Sequence, residues 1–161
     1  MNKIEAKQLK SKYWNGEHLA LVIDGEPLDH IIDKFDRDEQ HQFNGLVPTL
    51  LDCLDNEDEQ SVVWARILPD IGQTTKTPIL MCPDDCDFWC TIIIAEVERT
   101  YKEVKWLRIG SDIGKAEGLP DSIGTHVDWF DGLQFTFSLP DYKECLWTFE
   151  KEIIKTVNDN K

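Results

Sequence analysis

Three evenly spaced cysteines, Cys82, Cys86 and Cys90, are the residues of this chain whose type and spacing come closest to a chemical site. Thiolates in a C-x3-C-x3-C run could bind zinc. However, structural zinc sites usually join a C-x2-4-C pair to a second, distant pair of ligands. The remaining thiols, Cys53 and Cys145, lie in segments predicted to be helical, and no histidine is close in sequence. We therefore interpret the run as buried thiols that act as small hydrophobic groups, and we expect neither a metal nor a cofactor.

The cysteine count also bears on the compartment. Five cysteines cannot all pair within one chain, which favours reduced thiols over the disulfide framework of a small secreted protein. The first residues offer no apolar signal core, and no apolar run approaches the roughly 18 residues needed to cross a bilayer. The sequence is therefore typical of a cytoplasmic protein.

Two acidic clusters could bind calcium or a partner. One comprises Asp84, Asp85 and Asp87, and the other Asp55, Glu57, Asp58 and Glu59. Neither matches the EF-hand loop, because the glycine needed at its sixth position is Gln60 in one stretch and is missing from the other. The clusters are interpreted either as solvated turns or as a recognition surface.

Other catalytic patterns are weaker. His126 and Asp128 are two residues apart on a predicted strand, so they share a face and could form a base dyad, but no nucleophile stands in a G-x-S-x-G context. Gly114-Lys115 resembles part of a phosphate-binding loop, but position 109 is Ile and position 116 is Ala. No catalytic residue is predicted.

Negative charge is concentrated in one window. Residues 24–59 carry twelve carboxylates against Lys34 and Arg37, which accounts for −10 of the formal net charge of −14. Such a field repels nucleic acid and anionic lipid and attracts basic proteins. The favoured partner is therefore a basic protein, with no role in binding nucleic acid or membrane.

The pattern of apolar residues predicts one α+β domain over residues 1–161, with a mostly antiparallel sheet of hairpins and a meander. Two short helices in the N-terminal half and one C-terminal helix are expected to cover it. Strands are predicted at 4–14, 18–23, 61–68, 79–82, 88–97, 104–109, 126–130 and 133–139. Asn15-Gly16 is the predicted turn of an N-terminal hairpin, and Asp131-Gly132 is the predicted turn of a hairpin between the last two strands. Helices are predicted at 27–35, at 46–54 and from the cap Ser138 onwards to 157, and 36–44 and 111–125 are predicted loops.

Six tryptophans in a domain of this size imply that most of them are buried. One or two are expected to lie exposed beside the carboxylates. Tryptophan ringed by charge is a common anchor of tight interfaces, so such a residue would be a binding hot spot.

Several segments resemble a family of small bacterial proteins over about residues 18 to 150. They are 45–51, 63–69, 81–85, Cys90-Thr91, Ala95-Glu96-Val97, Val104 with Trp106, and Val127-Asp128-Trp129. Small acidic proteins of this type are similar to the immunity proteins of bacterial toxin systems, including contact-dependent growth inhibition. The resemblance implies a cytoplasmic inhibitor that binds one toxin domain.

The sequence thus predicts an immunity protein that covers the substrate-binding surface of a cognate toxin, a basic nuclease domain. The residues predicted to bind the partner are Asp55, Glu57, Asp58, Glu59, Asp84, Asp85 and Asp87. This prediction requires the two acidic segments to be neighbours in the fold. The alternatives are a general interaction module and an enzyme or metal-binding protein that uses the Cys82–Cys90 region.

Overall fold

The structure, a computed structural model, describes residues 1–12, 14–114 and 119–159. It has the predicted α+β architecture, with two antiparallel sheets and three α-helices in the described residues. The strands are β1 (Ile4–Lys10), β2 (Glu17–Ile23), β3 (Glu26–Pro27), β4 (Val47–Pro48), β5 (Thr74–Met81), β6 (Ile92–Arg99), β7 (Glu103–Asp112), β8 (Val127–Trp129) and β9 (Phe135–Ser138). The helices are α1 (Leu28–Asp33), α2 (Glu57–Arg66) and α3 (Leu139–Asp159).

The smaller sheet has the order β1-β2-β3 and confirms the predicted N-terminal hairpin. Its first connection runs over residues 11–16, so Asn15-Gly16 is the end of a longer loop and does not form a two-residue turn. Its second connection is such a turn, because Asp24 and Gly25 have φ of 51° and 82° between the paired residues Ile23 and Glu26. Positive φ at both positions is the geometry of a type I′ turn.

The larger sheet follows the order β4-β5-β6-β7-β8, and the central strand β6 is buried on both faces over Ile92–Ala95. β8 and β9 were predicted to form a hairpin with each other, and this is wrong. Both strands pair with β7 instead, β8 along residues 110–112 and β9 along residues 103–106. The chain through Asp131-Gly132 therefore continues along one edge of β7 and does not turn back.

One predicted helix is in fact largely a strand and turns, and one predicted strand is in fact helical. The predicted helix over 46–54 contains the short strand β4 and turns, because Val47 and Pro48 pair with β5 and Thr49 donates a hydrogen bond to the Pro78 carbonyl (2.8 Å). The predicted strand 61–68 is instead the end of α2, whose Asn56 cap lies six residues before Val62, its first β-branched residue. The cap and the burial of Val63 and Ile67 outweigh the β-propensity of this run.

Helix α3 joins the two sheets, and its capping by Ser138 is confirmed, since the Ser138 hydroxyl accepts a hydrogen bond from the Asp141 N–H (3.2 Å). A buried relay links it to α2. Trp106 Nε1 donates to the Tyr142 hydroxyl (3.2 Å), which donates to the Ile67 carbonyl (2.7 Å). The apolar stripe is buried only as far as Phe149, and the last two turns of the helix extend past the core.

The β7–β8 connection contains a 3₁₀ turn at Pro120–Ser122 within the predicted loop. Residues 115–118, which include Lys115 of the phosphate-loop comparison, lie outside the described residues. Within the described part of the chain, no helix combines the length and the apolar character that crossing a bilayer requires.

Candidate functional site

The first acidic segment forms the start of α2. Asn56 caps this helix, and its side-chain oxygen accepts hydrogen bonds from the backbone N–H groups of Asp58 (3.0 Å) and Glu59 (3.1 Å). Carboxylates in the first turn interact favourably with the positive end of the helix dipole. Three acidic side chains are therefore held together here by the helix itself.

The second acidic segment is a nine-residue loop closed by a disulfide between Cys82 and Cys90, whose Cα atoms are 6.0 Å apart. We call residues 82–90 the disulfide loop. The expectation that all thiols are reduced is wrong for this pair. The sequence reading missed it because an odd total of cysteines excludes complete pairing but does not exclude a single bridge. The predicted strand 88–97 accordingly starts only at Ile92, after the loop.

The two acidic segments are neighbours. Glu59 of α2 accepts a hydrogen bond from the backbone N–H of Phe88 in the disulfide loop, at 3.2 Å. The Phe88 ring is 1% exposed and anchors the loop in the core. A third contact ties the loop to the N-terminal sheet, because Trp14 Nε1 donates to the Pro83 carbonyl at 3.1 Å. The adjacency that a single interface requires is therefore present.

Six of the seven predicted binding residues are exposed or half-buried, and we call them the acidic face: Asp55, Glu57, Asp58, Asp84, Asp85 and Asp87. Glu59 is the exception, since it is only 3% exposed. Its carboxylate is turned inward to hold the Phe88 N–H, so it positions the loop and presents no charge to a partner.

The environment of Glu59 disfavours its ionised form. Burial raises the pKa of this carboxyl above its ordinary value, and the negative charges of Asp87 and Asp55 add to the effect, while the Phe88 N–H opposes it. A folded-state pKa above the unfolded value means that the folded protein binds more protons. Protonation of Glu59 therefore contributes to the free energy of unfolding. This contribution is fully present below the ordinary carboxyl pKa and is lost as the pH rises through the folded-state pKa.

We expect Glu59→Gln to keep the acceptor for Phe88 and to leave the free energy of unfolding at pH 7 unchanged or higher, with a weaker dependence on pH between 4 and 7. Glu59→Ala should lower it by about 1–3 kcal/mol, because a buried N–H then loses its partner. Urea denaturation of both variants across this pH range measures the difference. Equal stabilities for the two variants would contradict a positioning role for Glu59.

Two free thiols lie beneath the acidic face. Burial raises the pKa of both Cys53 and Cys86, and these two side chains are in hydrogen-bonding contact with each other. The charges of Asp87, Asp55 and Asp52 act in the same direction on Cys86. The thiolate is the form that attacks a disulfide, so these surroundings slow exchange with the neighbouring Cys82–Cys90 bridge. Among the described residues, no three His, Cys, Asp or Glu side chains are arranged to hold a metal ion.

The disulfide is expected to stabilise the fold. Replacing Cys82 and Cys90 by serine should lower the free energy of unfolding by about 2–3 kcal/mol, the loop-closure value for nine residues. Denaturation with and without a reductant checks this, because a reductant should bring the natural chain down to the stability of the variant. A reductant-insensitive natural chain would contradict the bridge.

Trp89 places an exposed aromatic ring beside the acidic face. It is 59% exposed, and its backbone N–H donates to Asp87 Oδ1 at 2.9 Å. The prediction that a tryptophan lies exposed beside the carboxylates is therefore confirmed for Trp89. Trp106, by contrast, is buried in the core at 1% exposure.

Several carboxylates of the 24–59 window accept hydrogen bonds from other residues of the chain and so stabilise the fold. Asp29 accepts from the Gly45 N–H (2.8 Å), and Asp33 contacts His41 Nδ1 (2.7 Å). Burial of Asp36 acts to raise its pKa, but hydrogen bonds from the backbone of Gln42 and its neighbours outweigh it and hold the pKa below its ordinary value. The predicted loop 36–44 and the residue after it are thus held in place by hydrogen bonds to Asp29, Asp33 and Asp36.

The possible dyad of His126 and Asp128 is not assembled. Both side chains are exposed, no hydrogen bond joins them within the described residues, and Asp128 lies 3.6 Å from Arg37 instead. The arrangement pairs charges across the edge of the sheet and offers no base held beside a nucleophile.

Comparisons with known proteins add no relative to this picture. No protein-family model matches the chain, and neither the curated proteins nor the solved structures contain a match. The resemblance to immunity proteins therefore stays a prediction.

Proposed function

We propose that this chain is an immunity protein of the bacterial cytoplasm that binds and neutralises a cognate toxin, a basic nuclease domain. The observation that carries the proposal is the meeting of two acidic segments, from α2 and the disulfide loop, on one surface around the exposed Trp89. Nucleases carry Lys and Arg to bind phosphate, so such a surface is complementary to the groove that the nucleic acid occupies.

The composition of the acidic face is that of a protein interface. A tryptophan surrounded by charged residues follows the pattern of a hot spot, in which one buried aromatic anchor supplies much of the affinity. Surrounding carboxylates raise the rate of encounter through long-range attraction. Inhibition would then follow from occupation of the nuclease groove.

The cavities also favour a protein partner over a small molecule. The best-formed ones lined by described residues range from about 50 to about 210 Å³. Sites for small ligands and cofactors usually enclose about 300–1,000 Å³.

A cytoplasmic location has a consequence for the disulfide loop. That compartment keeps most thiols reduced. The loop then depends on its other anchors, which are the buried Phe88, its hydrogen bond to Glu59 and the contact of Trp14 with Pro83. Binding by the proposed inhibitor is accordingly expected with Cys82 and Cys90 either reduced or joined.

The experiment is co-expression with the toxin domain encoded next to this chain, with cell survival and co-purification as readouts. The proposal expects rescue of growth, a one-to-one complex and loss of nuclease activity in the purified complex. Survival without a complex, or a complex that retains nuclease activity, would contradict it.

A general interaction module is the second candidate function, because the same acidic face would also bind basic proteins other than a toxin. The two differ in selectivity. An immunity protein binds its cognate domain far more tightly than nucleases of equal net charge, whereas a general module binds several basic proteins with similar affinity. Titration against a panel of basic nuclease domains separates them.

A further inference from the structure

A cavity of about 170 Å³ lies between the start of β2 with the connection that precedes it, the segment after β4, and α3. Three carboxylates from these three places line it, namely Glu17, Asp52 and Glu152. Its apolar floor includes Phe149 of the core. The cavity thus has an apolar base and an anionic rim.

The carboxylates of this rim have no cationic partner among the described residues. In the part of the chain that the structure describes, none of the three takes part in an ion pair and no Lys or Arg lines the cavity. Three carboxylates that line one cavity attract a positively charged group. The electrostatics of the cavity therefore select a positive group.

The wall of the cavity suits a planar cation. Trp14 lines the cavity. Its Nε1–H is already hydrogen-bonded to the Pro83 carbonyl, so Trp14 contributes the apolar part of its ring to the lining. His18 packs edge-on to Trp14 at 5.6 Å and donates Nδ1–H to the Leu19 carbonyl (2.9 Å), which leaves Nε2 as an acceptor in the neutral ring. Guanidinium groups stack on aromatic rings and donate to carboxylates in the same plane.

Two residues that line the cavity also contact or act on the disulfide loop. Trp14 holds the disulfide loop through Pro83, and Asp52 is close enough to Cys86 in the same loop to raise the pKa of its thiol. These two links place the cavity close to the disulfide loop that carries half of the acidic face.

We propose that this cavity receives a single basic side chain of the partner protein, an arginine in preference to a lysine. The proposal deepens the function proposed above and rests on it for the identity of the partner. The volume matches one side chain, since it is well below that of a small-molecule site. The combination of carboxylates and an aromatic wall accounts for the preference for guanidinium over ammonium.

The first test needs no toxin. The chain, labelled with ¹⁵N, is titrated with N-acetyl-L-arginine amide, and the indole N–H signal of Trp14, assigned with Trp14→Phe, is followed by NMR. We expect a saturable shift for the arginine probe, weaker binding for the lysine analogue and no saturation for the neutral norleucine analogue. Equal response to all three, or no saturable response, would overturn the proposal.

A charge-matched pair of variants locates the effect. The cavity variant Glu17→Gln/Asp52→Asn/Glu152→Gln should bind the probe at least tenfold more weakly. The control variant Asp55→Asn/Glu57→Gln/Asp58→Asn removes the same charge from the acidic face and should bind it as the natural chain does. Circular dichroism confirms that both are folded, and an unchanged affinity in the folded cavity variant would remove the assignment.

The same variants separate this proposal from the proposed function. If the arginine probe binds but no toxin domain does, the cavity stands and the immunity function fails. If the toxin domain binds the natural chain and the cavity variant equally well, the cavity proposal fails and the immunity function stands.

Discussion

Reversing four exposed carboxylates of the acidic face to lysine is expected to slow association with a basic partner by about 10- to 100-fold at low salt. The variant is Asp55→Lys/Glu57→Lys/Asp84→Lys/Asp85→Lys. None of these side chains forms a hydrogen bond or ion pair with a described residue, so the main expected cost is about 0.3–1 kcal/mol for a lysine at position 57 in the first turn of α2, and the variant should still fold. Glu59 is left intact because it holds the disulfide loop. Stopped-flow mixing at increasing ionic strength measures the rate, and the difference should shrink as salt screens the charges.

A control variant tests whether position or total charge matters. Four exposed carboxylates on other elements, changed as Asp70→Lys/Asp131→Lys/Glu144→Lys/Glu150→Lys, alter the net charge by the same amount. This control should lose much less of the association rate than the first variant. Equal losses in the two variants would mean that only the overall field attracts the partner and that the acidic face has no special place in binding.

Replacing Trp89 by alanine is expected to weaken the complex by about 2 kcal/mol or more, or about 30-fold in Kd. The ring is 59% exposed, so its removal opens no cavity in the free protein and should leave the free energy of unfolding unchanged. Most of the loss should appear in the dissociation rate, because an apolar anchor does not act at long range. Calorimetry and surface plasmon resonance provide the two quantities.

Trp147 offers a matched control for Trp89. It is 56% exposed on α3, where Lys151 Nζ lies 3.8 Å from the ring centroid. Trp147→Ala removes a similar exposed area outside the acidic face and should leave the affinity unchanged. If Trp147→Ala weakens the complex and Trp89→Ala does not, the binding surface lies on the C-terminal helix and the acidic face is only a solvated region.

The sequence predicted well those features that depend on local signals. The loose alternation of β1, the aliphatic run of β2, the β-branched run of β6 and the alternation of β7 led to the correct strands, and the Ser138 cap located the start of α3. These signals succeed because the hydrogen bonds or buried faces they imply involve residues close in sequence.

The errors arose where distant partners decide the structure. Leu50 and Leu54 have helical spacing, but Val47 and Pro48 pair with β5 some thirty residues away. The same is true of β8 and β9, whose common partner is β7. Spacing within a segment carries no information on such pairings, so it predicts a helix at 46–54 and pairs the last two strands with each other.

In the candidate site too, the sequence predicts what depends on residue type and misses what depends on distant partners. The seven carboxylates could be named from composition, and six of them are accessible. The inward orientation of Glu59 and the bridge between Cys82 and Cys90 depend on how α2 meets the loop, and no pattern within either segment encodes this. The cavity of Trp14, Asp52 and Glu152 draws on three elements far apart along the chain.

The contact of Asn2 with β9 has a consequence for how the protein is made. Asn2 exchanges hydrogen bonds with Thr136, 134 residues away, at 2.7 Å through its backbone N–H and 2.9 Å through its side-chain oxygen, and Lys3 pairs with Asp141 (3.2 Å). During synthesis the hairpin of β1 and β2 leaves the ribosome before β9 and α3, so these contacts can form only after both later elements have emerged. Contacts of such long range form late because closing the intervening chain costs entropy. The docking of Asn2 and Lys3 onto β9 and α3 is thus expected to be a late step in the folding of this domain.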